Sequence, residues 1–453
     1  MTIPNSAWSA DHDLYADALL TELTQCTEEG LDVRPVAPLF QAAAALERGS
    51  LKSRVADALF QWTQTAPAVE GFAYHEPSTL EEIRALREPF SLRAPQFPSD
   101  DDLLKKIRGA WYGRICGCLL GKPLEGIRSD ELIPFLKMTN NYPMHRYPLC
   151  ADVTDEVCGA FRFSFCGKPF ADTIACAPAD DDTNYTVLAQ HLIERYGRDF
   201  KSEDVLECWI RMQPACAYFT AEQVAYRNRT AGLLPPYSAT YKNPFREWIG
   251  AQIRGDYFGC ICPGDPQKAA EYAFRDARVS HVKNGIYGEM FVSAMLAAAA
   301  VTDDIPQILR CALAQIPATS RLYARITEVL HGRCDGVSAD DCMRRIHTLY
   351  DEHTGYGWCH TIPNAMIVAA ALLYGDGDFG KSVCMAVQAA FDTDCNGATV
   401  GSVLGMARGI DAIDPVWTAP LHGRLSTELR DSGTVEIESL VQNTIRHIKE
   451  VKS

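Results

Sequence analysis

No stretch of the 453-residue chain approaches the roughly 20 consecutive apolar residues that a membrane-spanning helix needs. The best run, 290–301, is far shorter and is interrupted by Ser293, so no membrane segment is expected. Positive charge is also scarce. Lys and Arg number 43 against 58 Asp and Glu, a formal charge of −15, which is the wrong sign for a phosphate backbone and argues against nucleic acid as a partner. None of the 17 cysteines belongs to a CxxC pair. Cys116 and Cys118, like Cys260 and Cys262, are one residue apart, which suits neither a zinc knuckle nor one helix face, so they read as buried thiols in a reducing compartment. The opening MTIPNSAWSADHDLY lacks the basic segment and apolar run of a secretory leader, and the cytoplasm is the expected location. With 47% hydrophobic and 22% charged residues, disorder is excluded as the main state.

Alternation of β-branched residues is nearly absent, whereas apolar spacing of three and four recurs along the chain, so the expected fold is all-α with no sheet. Helices are expected over 13–27, 38–48 and 52–65, with a fourth starting at a Ser78/Glu81 capping box. The segment 88–98, EPFSLRAPQFP, carries three prolines and no helical period, which marks a linker. This divides the chain into an N-terminal helical appendage with linker, 1–98, and a main domain, 99–453. Ser99 before Asp100, Asp101 and Asp102 is a strong helix start for that domain. The aromatic-, glycine- and proline-containing stretch 221–266 reads as a long ordered excursion over the surface.

Two glycine stripes follow. Gly109, Gly113, Gly117 and Gly121 recur every four residues, as do Gly397, Gly401, Gly405 and Gly409. Each set occupies one helical face. A mid-helix glycine costs roughly 1 kcal/mol against alanine, so the stripes need a reason, and close backbone approach supplies one. If they face each other antiparallel, Glu125 comes close to Asp392 and Asp394 at the start of the second helix. Asp180, Asp181 and Asp182 form a second acidic cluster before a helix over 183–195. Carboxylates that repel one another at helix starts suit hard divalent cations. Two familiar alternatives fail: an EF-hand would need Glu where Val403 stands, and the DDxxD of a prenyl-diphosphate enzyme would need Asp where Asn184 or Tyr185 stands.

Four segments, GAWYGRICGCLLGKPLEG, PADDDTNYT, DARVSHVKNGIYGEMF and FDTDCNGATVGSVLGMARG, in that order make the chain resemble the ADP-ribosylglycohydrolase family over roughly 99–431. The resemblance implies an orthogonal all-α bundle and hydrolysis of a glycosidic bond at the ribose of an ADP-ribosyl or related substrate, small or protein-linked. It also implies two Mg²⁺ or Mn²⁺ ions. Carried over residue by residue, it places Asp180, Asp181, Asp182, Asp392, Asp394 and Cys395 at the metals. Glu125 and Asp182 become the catalytic candidates, with His281, Asn284, Gly285 and Asn396 at the substrate. The chain departs from the family where it has Asp180 in place of Ser or Thr, Cys395 in place of Thr, and Cys118 in place of Asp. Because Mg²⁺ disfavours a thiol, the expectation is that Asp180 ligates and Cys395 is a small buried residue. The competing reading is an inactive member that binds a nucleotide or a protein, which leaves the repulsion among the carboxylates unexplained. For residues 1–98, a dimerising arm and a substrate gate both remain open.

Overall fold

The computed structural model describes residues 14–450. They are 62% helical, with 24 α-helices, and the all-α expectation holds. One small correction applies. Arg424–Ser426 and Thr434–Glu436 pair antiparallel, with Leu425 opposite Val435, around a turn containing Asp431 and Gly433 at positive φ. Strands of three residues are too short for an alternating pattern to register in the sequence.

At the N-terminus, Leu19–Glu28, Ala37–Ala44 and Ser50–Thr63 are helical and enclose a small core of Tyr15, Leu19, Phe40, Leu59 and Phe60. The expected helix start at Asp13 lies outside the described residues. The fourth helix, Leu80–Ala85, is capped by Thr79 and not by Ser78. The hydroxyl of Ser78 instead accepts a hydrogen bond from the Lys283 backbone N–H. Ile83 of this helix points into the large core of the molecule. Buried ion pairs tie the N-terminal helices to the rest: Arg246 contacts Glu22 and Glu29, and Arg321 contacts Glu76 and Glu247.

A long helix starts where the sequence indicates. The Ser99 hydroxyl accepts a hydrogen bond from the Asp102 backbone N–H at 3.2 Å, and the helix Asp100–Gly121 follows. The apolar run near residue 290 belongs to the helix Lys283–Ala299, which is buried on all sides. No helix among the described residues is long and apolar enough to cross a membrane.

The stretch 221–266 departs from expectation. Residues 231–242 do run largely exposed, but the later part does not: Ala251, Ile253, Tyr257 and Phe258 are buried around the turn Gln252–Arg254 and the helix Asp256–Cys260. Gly259 makes this possible, because a Cβ there would stand 2.4 Å from the Ser293 carbonyl oxygen. Of its aromatic residues, Phe245, Trp248, Tyr257 and Phe258 are core residues, whereas Tyr237 and Tyr241 stay exposed.

Candidate metal centre

The two glycine stripes do face each other. A Cβ on Gly109, Gly113 or Gly117 would lie 2.2, 2.1 or 1.9 Å from the carbonyl oxygen of Gly405, Gly401 or Gly397. Backbone therefore touches backbone along the crossing of Asp100–Gly121 with Thr393–Arg408. The helices run antiparallel, so the end of the first meets the start of the second. A Cβ on Gly121 would be 2.3 Å from the Asp394 nitrogen, and the Thr393 hydroxyl donates to the Gly121 carbonyl at 3.0 Å. The chain leaving Gly121 turns through Lys122–Leu124 and presents Glu125.

The other acidic cluster opens the helix Asp181–Tyr196, whose N-cap is Asp180: one Asp180 oxygen accepts from the Asp182 backbone N–H at 2.9 Å. Arg114, on the first glycine helix and 1% exposed, locks this helix start in place. It donates to the Asp182 carbonyl at 2.9 Å and to Asp182 Oδ1 at 3.1 Å, and it contacts Asp256 at 3.0 Å. Ligating atoms of Asp182, Asp394 and Cys395 lie within 4.8 Å of one another, as do those of Asp180, Asp181 and Asp182. Motifs more than two hundred residues apart thus share one buried point.

Electrostatics there are strained. Burial and then neighbouring carboxylates hold Asp181, Asp182 and Asp394 well above the usual aspartate range. Burial raises Asp392. Glu125 is pushed up to about 7 by burial, then by Asp392 and Asp180. For Asp180, burial is outweighed by Lys122, whose ammonium pairs with its second oxygen, and the carboxyl is held below its usual range. Two thiols donate into the cluster, Cys395 to Asp182 at 3.1 Å and Cys359 to Asp392 at 3.4 Å. Asp394 Oδ1 is buried and accepts no hydrogen bond. An orphaned buried carboxylate oxygen is costly unless a cation meets it, and the oxygen-rich donor set suits Mg²⁺ or Mn²⁺.

Not every sequence candidate joins this centre. Asn284 lies in the seam with the N-terminal helices: its amide donates to Glu76 and Glu247 at 2.8 Å, and its oxygen accepts from Leu322 at 3.0 Å. No polar atom is left for a substrate. Gly285 is packed against the Arg246 carbonyl, 2.8 Å from a hypothetical Cβ. His281 is buried, bonds Ser280 Oγ at 2.8 Å, and is held well below its usual pKa by burial and then by Arg254. It lines a cavity of about 350 Å³ beside Glu22, Glu29 and Arg246, among residues that do not belong to the carboxylate cluster. Asn396 donates to Asn364 Oδ1 at 2.7 Å, and that same oxygen accepts from the Asp392 backbone N–H at 3.2 Å. Asn396 therefore braces the acidic turn, while its own Oδ1 has no partner.

Sequence reasoning missed Arg114, Lys122 and Cys359. For the first two a signal existed. Arg114 is a charge inside a glycine-striped helix with little polar surface, and Lys122 directly follows the last glycine of the stripe. Cys359 carries no local pattern that sets it apart from the other cysteines.

A family profile described as ADP-ribosylglycohydrolase matches residues 99–450. A solved structure described as an ADP-ribosylglycohydrolase-related protein complex aligns with 17% identity and a TM-score of 0.47, covering 77% of this chain and 99% of that one. No curated protein matches the sequence.

Proposed function

Since the chain belongs to the ADP-ribosylglycohydrolase family, we propose that it is a divalent-cation-dependent hydrolase cleaving the glycosidic bond at the ribose of an ADP-ribosyl or related ribosyl substrate. The observation that carries this reading is the buried, unpartnered Asp394 Oδ1 beside Asp182 and Cys395. When bound, Mg²⁺ or Mn²⁺ supplies a Lewis acid that polarises oxygen and eases deprotonation of water. Asp182 and Asp394 would hold it, with Cys395 beside them and Asp181 and Asp392 completing the acidic rim.

The protein's own groups supply the rest. Arg114 fixes Asp182 from behind, so that one carboxylate oxygen stays aimed into the centre. Glu125, with its pKa near 7, suits proton transfer at neutral pH. It would take the proton of the attacking water as oxygen bonds to the anomeric carbon. The glycosidic bond then breaks, and the aglycone leaves with the bonding pair and gains a proton.

We keep 1–98 and 99–453 as the proposed organisation, the second part carrying the chemistry. The substrate remains an ADP-ribosyl group on a small molecule or a protein, and assembly through the N-terminal helices is retained as part of the proposal. A hydrolysis screen over ADP-ribosyl-arginine, ADP-ribosyl-serine and free ADP-ribosyl metabolites, with Mg²⁺, Mn²⁺ or chelator, tests the reading. Cation-dependent release of the ribosyl product supports it. No release from any substrate with either cation contradicts it.

A further inference from the structure

Two protein cations already stand among the carboxylates, and they do different work. Arg114 is held by Asp182 from the side away from the cluster, by Asp256 and by the Ile253 carbonyl. Lys122 reaches into the cluster from the turn after Gly121 and pairs with Asp180 Oδ2, while Asp180 Oδ1 accepts from the Asp182 backbone. Both Asp180 oxygens are therefore engaged.

We propose that the Lys122 ammonium takes one of the two cation positions, so that this chain holds a single divalent ion, in the group formed by Asp182, Asp394 and Cys395. The proposal rests on the cation-dependent reading above and refines it. The acidic triplet is one potential metal group and the Asp182, Asp394 and Cys395 set is the other. In the first, a compact point charge already neutralises Asp180. In the second, a buried oxygen of Asp394 is still without a partner. Placing a second divalent ion beside Asp180 would bring it against the ammonium. The side chain of Lys122 is 21% exposed, so a substrate hydroxyl can still reach its remaining N–H donors.

The expected arrangement of Asp180 and Cys395 is thereby reversed. Asp180 holds lysine, and the thiol, donating to Asp182 in the absence of an ion, sits in the group left for the metal. A thiol can serve a divalent ion softer than Mg²⁺.

Native mass spectrometry of the full chain at saturating Mn²⁺, with electron paramagnetic resonance of the same samples, tests this. The wild type should hold one Mn²⁺ per chain and give the spectrum of an isolated ion. The double variant Lys122→Met/Asp180→Thr removes the pair without leaving an unpaired buried charge, and should hold two, with exchange-broadened signals. Two ions in the wild type overturn the proposal and leave the cation-dependent reading standing. One ion in both proteins also overturns it, because Lys122 would then not be what excludes the second. A wild type that binds no Mn²⁺ removes the proposal together with the reading beneath it.

Discussion

Gly117 and Gly397 meet backbone to backbone: a Cβ on Gly117 would stand 1.9 Å from the Gly397 carbonyl oxygen, and one on Gly397 would stand 2.4 Å from that of Gly117. The contact is more than packing. It sets the distance at which the end of one helix delivers Lys122 and Glu125 to the start of the other, where Asp392 and Asp394 lie. Because both opposing atoms are backbone, no side chain can yield. Gly117→Ala should therefore destabilise by several kcal/mol despite adding one methyl, since overpacking of this kind costs about 1–3 kcal/mol even where side chains can move. Thermal unfolding measures it, and a variant melting with the wild type would show that the helices separate without loss.

The stripes illustrate what a sequence can reveal. A four-residue period of glycine has few explanations, and antiparallel facing stripes dictate which ends meet. Glu125 could thus be assigned to the acidic start of the second helix without coordinates, while the triplet 180–182 joined them only through what a hard cation requires and through the family resemblance. The seam around Asn284 could not, because Glu76, Glu247 and Arg321 are far apart in the chain and each looks like a surface charge. The buried course of 251–260 was hidden for a related reason: irregular backbone with glycines reads as loop, and only the neighbouring helix shows that those glycines admit close packing.

Glu125 gives a pH dependence. Its carboxyl titrates near 7 in the folded, metal-free protein, against about 4.3 in an unfolded chain. A folded-state pKa raised in this way contributes stability that is present below about 4.3 and lost as pH rises through about 7. Glu125→Gln lacks this proton, so in chelator its stability should change less between pH 5 and pH 8. At pH 8 it should exceed the wild type by up to roughly 4 kcal/mol. Urea unfolding at both pH values checks this, and parallel pH profiles would refute it. The same variant should lose about 10²–10⁴-fold in turnover as a missing proton-transfer group.

The proposed metal group gives Cys395 a part in metal selectivity. With its sulfur 3.1 Å from Asp182, Cys395→Thr should narrow the preference for Mn²⁺ over Mg²⁺ by about tenfold, because an oxygen donor replaces a softer one. Competition titration reads the ratio directly. An unchanged ratio would make the thiol a bystander.

The N-terminal helices should not be removable at no cost. Deleting 1–98 takes Glu22 and Glu29 from Arg246 and Glu76 from Arg321. A buried ion pair that loses one partner costs about 3–5 kcal/mol. The truncated chain should melt well below the full one, and Arg246→Met within it, which removes a guanidinium that has lost both of its carboxylates, should recover part of the loss. Equal melting of truncated and full-length chains would show that the seam adds no stability.

The central claim is that Asp182 and Asp394 share a divalent cation, and the most direct measurement is the anomalous difference map of a crystal soaked in Mn²⁺. The account expects a peak in contact with carboxylate oxygens of both residues, at about 2.1 Å as for hard octahedral cations. A map with no peak there, or with manganese bound only elsewhere on the protein, would contradict it.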